Sequence, residues 1–80
     1  MYPDERIIQV AESLLQSNGS DAAGASTSEL IAGALLAGHP EWAGYTTDGR
    51  TNVFAMIDRL GPEWCDVVRD LYQEFHAPGE

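Results

Sequence analysis

The chain has 80 residues, with four arginines, no lysine and 13 carboxylate side chains, so its formal net charge at pH 7 is −9. This length predicts a single domain, residues 1–80, with a modest core. The charge argues against direct binding to nucleic-acid phosphates or to anionic membranes, and it favours partners with basic surfaces. The alternative is that the charge serves only solubility.

Cys65 is the one cysteine, so no internal disulfide can form, which fits a reducing compartment. Residues 1–6 are polar and acidic, unlike a secretory signal. No apolar run approaches the roughly 20 residues needed to cross a bilayer. We therefore expect a cytoplasmic protein that does not bind membranes.

The first predicted helix runs from about Pro3 to Ser17, because its apolar residues recur at steps of three and four. Asp4 and Glu5 suit the positive end of the helix dipole. Its predicted apolar stripe consists of Ile7, Val10, Ala11 and Leu14, widened by Ile8 and Leu15.

The second predicted helix opens with Ser26-x-x-Glu29, the pattern of a capping box, and closes at Gly38. Between these caps, Leu30 to Ala37 contains no polar side chain on any face. A helix that is apolar all round and too short for a membrane is buried in a core. The sequence therefore predicts that the other helices cover this central one.

The third predicted helix runs from about Asp48 to Leu60 with Thr47 as its N-cap, and the fourth from about Pro62 to Phe75. Spacing places Val53, Met56, Ile57 and Leu60 on the inner face of the third helix, with Phe54 beside them. On the fourth it places Trp64, Val67, Val68, Leu71 and Phe75 inward, with Tyr72 at the edge. The predicted fold class is all-α, a compact bundle of about four short helices.

Residues for catalysis or metal binding are sparse. The predicted position of Cys65, beside the inner face of the fourth helix, suits a buried small side chain better than a nucleophile. His39, His76 and Cys65 do not have the spacing of metal ligands, and no glycine-rich phosphate loop is present. We expect no enzyme activity, no cofactor and no metal.

Glu63, Asp66, Asp70 and Glu74 are spaced by three, four and four residues, so they line one face of the predicted fourth helix. We call these four residues the acidic ridge. A row of carboxylates at this spacing approximates the charge of one DNA strand. The alternative is the ordinary solvated face of an amphipathic helix.

In size and charge the chain resembles, as a type, the small acidic DNA-mimicking inhibitors of phages and mobile elements, including anti-CRISPR proteins. The resemblance implies a monomer or weak dimer in the cytoplasm of a bacterial host. It would block a basic nucleic-acid-binding surface, such as the DNA site of a CRISPR effector complex. The implied contacts are the acidic ridge, with Asp4, Glu5, Glu12 and Glu41 as secondary candidates.

Two other functions stay open. A helix-turn-helix regulator would read bases with Arg50 and Asn52 at the start of the third helix, although the chain lacks a cluster of cations for phosphates. A phage or bacterial assembly module would contact its partner through Trp42, Tyr45 or Tyr2.

Overall fold

The computed structural model describes residues 4–76, so the predicted start at Pro3 lies outside the described residues. Along the chain are α1 (Asp4–Ser17), α2 (Thr27–Ala37), a 3₁₀ helix (Pro40–Ala43), β1 (Thr46–Thr47), β2 (Arg50–Thr51), α3 (Val53–Leu60) and α4 (Pro62–Phe75). Four helices and one two-stranded sheet confirm the predicted helical bundle.

The central position of α2 is confirmed, since it contacts α1, α3, α4 and the 3₁₀ helix. The capping box is formed: the Glu29 backbone N–H donates to Ser26 Oγ at 3.3 Å, and the Ser26 N–H donates to Glu29 Oε1 at 2.9 Å. Gly38 ends the helix with a left-handed φ of 82°. The buried residues of α2 are Ile31, Ala32, Gly33, Ala34, Leu36 and Ala37.

The α1–α2 interface is close because small residues lie where the helices meet. A β carbon added to Gly33 would collide with the Val10 side chain and lie 3.3 Å from the Ala11 backbone nitrogen. Glycine destabilises a helix interior by about 1 kcal/mol relative to alanine. At position 33 the absence of a side chain lets α1 pack closely against α2. The predicted stripe of α1 is confirmed by its buried residues, Ile7, Val10, Ala11 and Leu14, whereas Leu15 is 42% exposed.

The predicted start of the third helix is wrong. Thr46 pairs with Thr51 and Thr47 with Arg50 in an antiparallel hairpin, so Thr47 is a strand residue and not an N-cap. The turn is Asp48-Gly49 with φ values of 54° and 77°, both in the left-handed region that two-residue hairpins of this kind require. The cap of α3 is Asn52, whose Oδ1 accepts the Ala55 N–H at 3.0 Å.

The inner face of α3 is narrower than predicted. Met56 and Leu60 are buried, but Ile57 is 41% exposed and Phe54 is 81% exposed. Eight residues make only about two turns, and α2 and α4 cover one side of them. In α4, Val68 and Leu71 are buried, and Trp64, Val67 and Phe75 pack half-buried against the core as predicted.

Candidate partner-binding surface

The acidic ridge runs along the solvent side of α4. Pro62 begins the helix, and Val68 and Leu71 hold its apolar side against the core, so the polar residues turn outward. All four ridge residues are exposed. From Glu63 to Glu74 the ridge is roughly 16 Å long, at the α-helical rise of about 1.5 Å per residue.

Arg69 is the cation within the ridge. Its guanidinium lies 3.7 Å from Asp66 Oδ1 and 3.9 Å from Asp70 Oδ1, and each of these side chains is more than two-thirds exposed. Exposed pairs at such distances contribute between about 0 and 1 kcal/mol. Four carboxylates and one guanidinium leave the ridge with a net charge of −3.

Asp4 of α1 lies beside the C-terminal half of the ridge. A shallow depression of about 220 Å³ between α1 and α4 is lined by Asp4, Val67, Asp70, Leu71 and Glu74. We call the ridge together with Asp4 the acidic face. Packing of α1 on α4 therefore adds a fifth carboxylate, from a distant part of the sequence, to the row on α4.

The other three predicted contacts lie apart from this face. Glu5 and Glu12 are exposed on the side of α1 opposite its buried stripe. Glu41 is in the 3₁₀ helix, where its Oε2 lies 3.0 Å from His39 Nδ1. A hydrogen bond from its own backbone N–H, followed by the bond with His39, lowers the pKa of Glu41 below its usual range.

An apolar groove lies between α3 and α4, with Arg69 at the edge that borders the acidic ridge. Its volume is about 410 Å³. The residues of this α3/α4 groove are Leu35, Ile57, Cys65, Val68, Arg69, Tyr72 and Gln73. The groove is not predicted from the sequence, because residue spacing places Ile57 in the core and Tyr72 at the edge of the fourth helix.

Cys65 forms part of the groove wall, is half-buried and packs against the core. Burial, and to a smaller extent the negative charge of Asp66, raises the pKa of the Cys65 thiol. A raised pKa keeps the sulfur protonated and makes it a poor nucleophile at neutral pH. The prediction that Cys65 acts as a small apolar residue agrees with this environment.

The described residues named for the two alternative functions lie in the 3₁₀ helix and around the hairpin. Arg50 is exposed on β2 and Asn52 caps α3, so neither lies within a recognition helix. Trp42 packs half-buried against the core and stacks on His39, with ring centroids 4.1 Å apart. Tyr45 is also half-buried, and Tyr2 lies outside the described residues.

Within residues 4–76, no group of three or more His, Cys, Asp or Glu side chains is placed to hold a metal ion. None of the helices described is both long enough and apolar enough to cross a membrane. No protein-family model, curated protein sequence or solved structure matches the chain. Function is therefore argued from the surface alone.

Proposed function

We propose that the protein is a small acidic inhibitor that occupies a basic, nucleic-acid-binding surface of a partner protein and so prevents DNA from binding there. The mode of action is that of the anti-CRISPR DNA mimics, with a CRISPR effector complex as the candidate partner. The acidic face would sit where the partner otherwise holds target DNA.

The observation that supports this proposal is the acidic face. Five carboxylates from two helices lie on one side of the molecule, and Arg69 is the cation interspersed with them. Like charges three or four residues apart cost a helix a few tenths of a kcal/mol per pair. B-DNA carries one phosphate per 3.4 Å of axis on each strand. The ridge, with a carboxylate every 5 Å or so, presents a sparser row of the same sign.

A charge-reversal pair tests the proposal. The variant Asp70→Lys with Glu74→Lys changes two residues of the acidic face. The control, Glu5→Lys with Glu12→Lys, makes the same change on the outer side of α1. Each variant has a net charge of −5, since two reversals each add +2 to −9. Circular dichroism checks that both keep their helices.

The assay measures how much protein halves target-duplex binding by purified DNA-targeting CRISPR effector complexes, in gel shifts at low and high salt. We expect the native chain to compete with DNA, less effectively as salt rises. The α4 variant should need at least about tenfold more protein, since like charges brought together cost several kcal/mol. The α1 control should stay within about threefold of the native chain. Equal losses in both variants would show that total charge, and not the acidic face, drives inhibition.

A further inference from the structure

The α3/α4 groove is an apolar depression on a strongly acidic chain. Its floor is apolar, formed by residues such as Leu35, Ile57 and Val68. Tyr72 at its edge is 44% exposed, and Phe54, one helical turn before Ile57, is 81% exposed. Exposed apolar residues scattered singly are ordinary, but Ile57 and Tyr72 line the same concave site.

We infer that the α3/α4 groove receives an amphipathic helix from the same partner, with apolar side chains in the groove and basic side chains against the flanking carboxylates. This inference rests on the proposed function, because one partner supplies both the basic surface and the helix. It adds a second contact on α4, next to the acidic face, with Arg69 between the two surfaces.

The shape of the groove fits a short helical segment. Its α4 wall runs from Cys65 to Tyr72 and Gln73, about two helical turns or roughly 12 Å. A groove between two helices is the usual receptor for an amphipathic helix, which inserts side chains spaced by three and four residues. Two turns accommodate two or three such side chains.

The charge around the groove favours basic flanks on that helix. Arg69 lies on the rim, but its guanidinium is shared between Asp66 and Asp70 at 3.7 and 3.9 Å. Asp66 follows Cys65, which lines the groove, and pairs with the groove residue Arg69. Asp58 is exposed on α3 beside Ile57. The rim is therefore net negative.

The same charge disfavours a second copy of this chain as the occupant. A two-fold interface brings the same patch of both copies together. The carboxylates beside the groove of one molecule would then lie near those of the other, in a pair of chains that each carry −9. A partner with basic side chains has no such repulsion.

Three synthetic 16-residue helical peptides test the inference. The first has a leucine face flanked by lysines, the second has the same face flanked by glutamates, and the third keeps the lysines but replaces the leucines with serines. Binding is measured by NMR titration of the ¹⁵N-labelled protein. Protection of Cys65 from alkylation at pH 9 reports whether the groove is filled.

We expect the leucine–lysine peptide to bind at least about tenfold more tightly than the other two. It should shift the amide signals of Ile57, Val68 and Tyr72 and should slow alkylation of Cys65. Ile57→Gln should weaken this binding about tenfold, whereas Leu15→Gln should not change it. Leu15 is a matched control for Ile57, because the two side chains are 42% and 41% exposed and Leu15 lies outside the groove. Tyr72→Gln provides a second groove variant if Ile57→Gln does not fold.

Several results would overturn the inference. No binding of the leucine–lysine peptide, or equal binding of the serine–lysine peptide, would mean that the groove receives no apolar helix. Equal binding of the glutamate-flanked peptide would exclude the basic occupant. Concentration-dependent dimerisation of the protein alone, abolished by Ile57→Gln, would identify a second copy as the occupant. The proposed function fails separately, when Asp70→Lys with Glu74→Lys inhibits CRISPR effectors as well as the native chain does.

Discussion

The α1–α2 pair and the α3–α4 pair differ in how completely they exclude solvent. In the first pair, Ile7, Val10 and Ile31 are completely buried. In the second, Met56 of α3 is also completely buried, but the best-buried residue of α4 keeps 7% of its surface exposed, and Ile57 and Tyr72 keep more than two-fifths. The first pair excludes solvent from its interface, and the second leaves an open groove.

Side-chain size explains the difference. Four small residues let the backbones of α1 and α2 approach closely: Ala11, Ala32, Gly33 and Ala34. α3 is only eight residues long, so it offers α4 little more than two turns to pack against. Since hydrophobic stabilisation scales with the apolar area removed from water, most of it comes from the first pair. The second pair is left to form a surface.

The sharpest test of this contrast compares the same substitution in both pairs. Ile31→Ala should lower the free energy of unfolding by about 2–5 kcal/mol, because it removes a fully buried side chain. Ile57→Ala, at a site 41% exposed, should lower it by about 1 kcal/mol or less. Urea denaturation followed by circular dichroism measures both. Equal losses would show that α3 contributes to stability as strongly as α2.

Gly33→Ala tests whether close approach is what sets the first pair apart. Alanine favours the helix by up to about 1 kcal/mol, but its methyl group would collide with Val10. We expect a net loss of about 1–3 kcal/mol in the free energy of unfolding, as in other overpacked cores. In the double variant with Val10→Ala, the total loss should be smaller than the sum of the single losses. Strict additivity would contradict direct contact between these two positions.

His76 connects the two pairs, and its substitution should lower the free energy of unfolding by less than Gly33→Ala does. Its Nε2 hydrogen-bonds to the carbonyl oxygen of Leu36, in the last turn of α2, and its ring lies 4.3 Å from that of Tyr72. His76→Ala should lower the free energy of unfolding by about 1 kcal/mol, the usual net contribution of one hydrogen bond. Gln73→Ala, on the same helix, is the control and should be neutral. A neutral His76→Ala would mean that water replaces the imidazole without loss.

The smallest expected effect concerns the start of α2. The Ser26 N–H, and then the nearby Arg6 guanidinium, lower the pKa of Glu29 below its ordinary value of 4.5. A lowered folded-state pKa contributes stability that is present above pH 4.5 and is lost as the pH falls through the folded value. Glu29→Gln should therefore lower the thermal midpoint slightly at pH 7, and the difference should shrink below pH 4.5. A destabilisation of the same size at pH 7 and below pH 4.5 would contradict this prediction.

Features set by neighbouring residues were predictable from the sequence. The caps of α2 at Ser26, Glu29 and Gly38 depend on interactions within one turn, and the structure has all three. The hairpin at residues 46–51 was missed, although Asp48-Gly49 is a signal for a two-residue turn. Thr47 is also a good N-cap, which favours a helix that starts at Asp48. Local chemistry allowed both structures, and Asn52 takes the cap in the molecule.

Features set by tertiary packing were not predictable. The apolar residues of α3 cover more of its circumference than α2 and α4 can bury, and spacing alone does not say which remain outside. Exposure of Phe54 and Ile57, and hence the α3/α4 groove, follows from the positions of neighbouring helices. The place of Asp4 beside Asp70 and Glu74 has the same origin, since it joins residues from opposite parts of the chain.

Gly61 alone connects α3 to α4, with φ 89° and ψ 160°. This conformation is essentially restricted to glycine, although a β carbon would meet no atom within 4 Å. The bend between the two helices is therefore a property of the backbone at one position. Since α3 and α4 form the two walls of the groove, rotation about the two torsions of Gly61 would open or narrow it like a hinge. Any other residue at position 61 would have to change these torsions, and the two walls of the groove would then meet at a different angle.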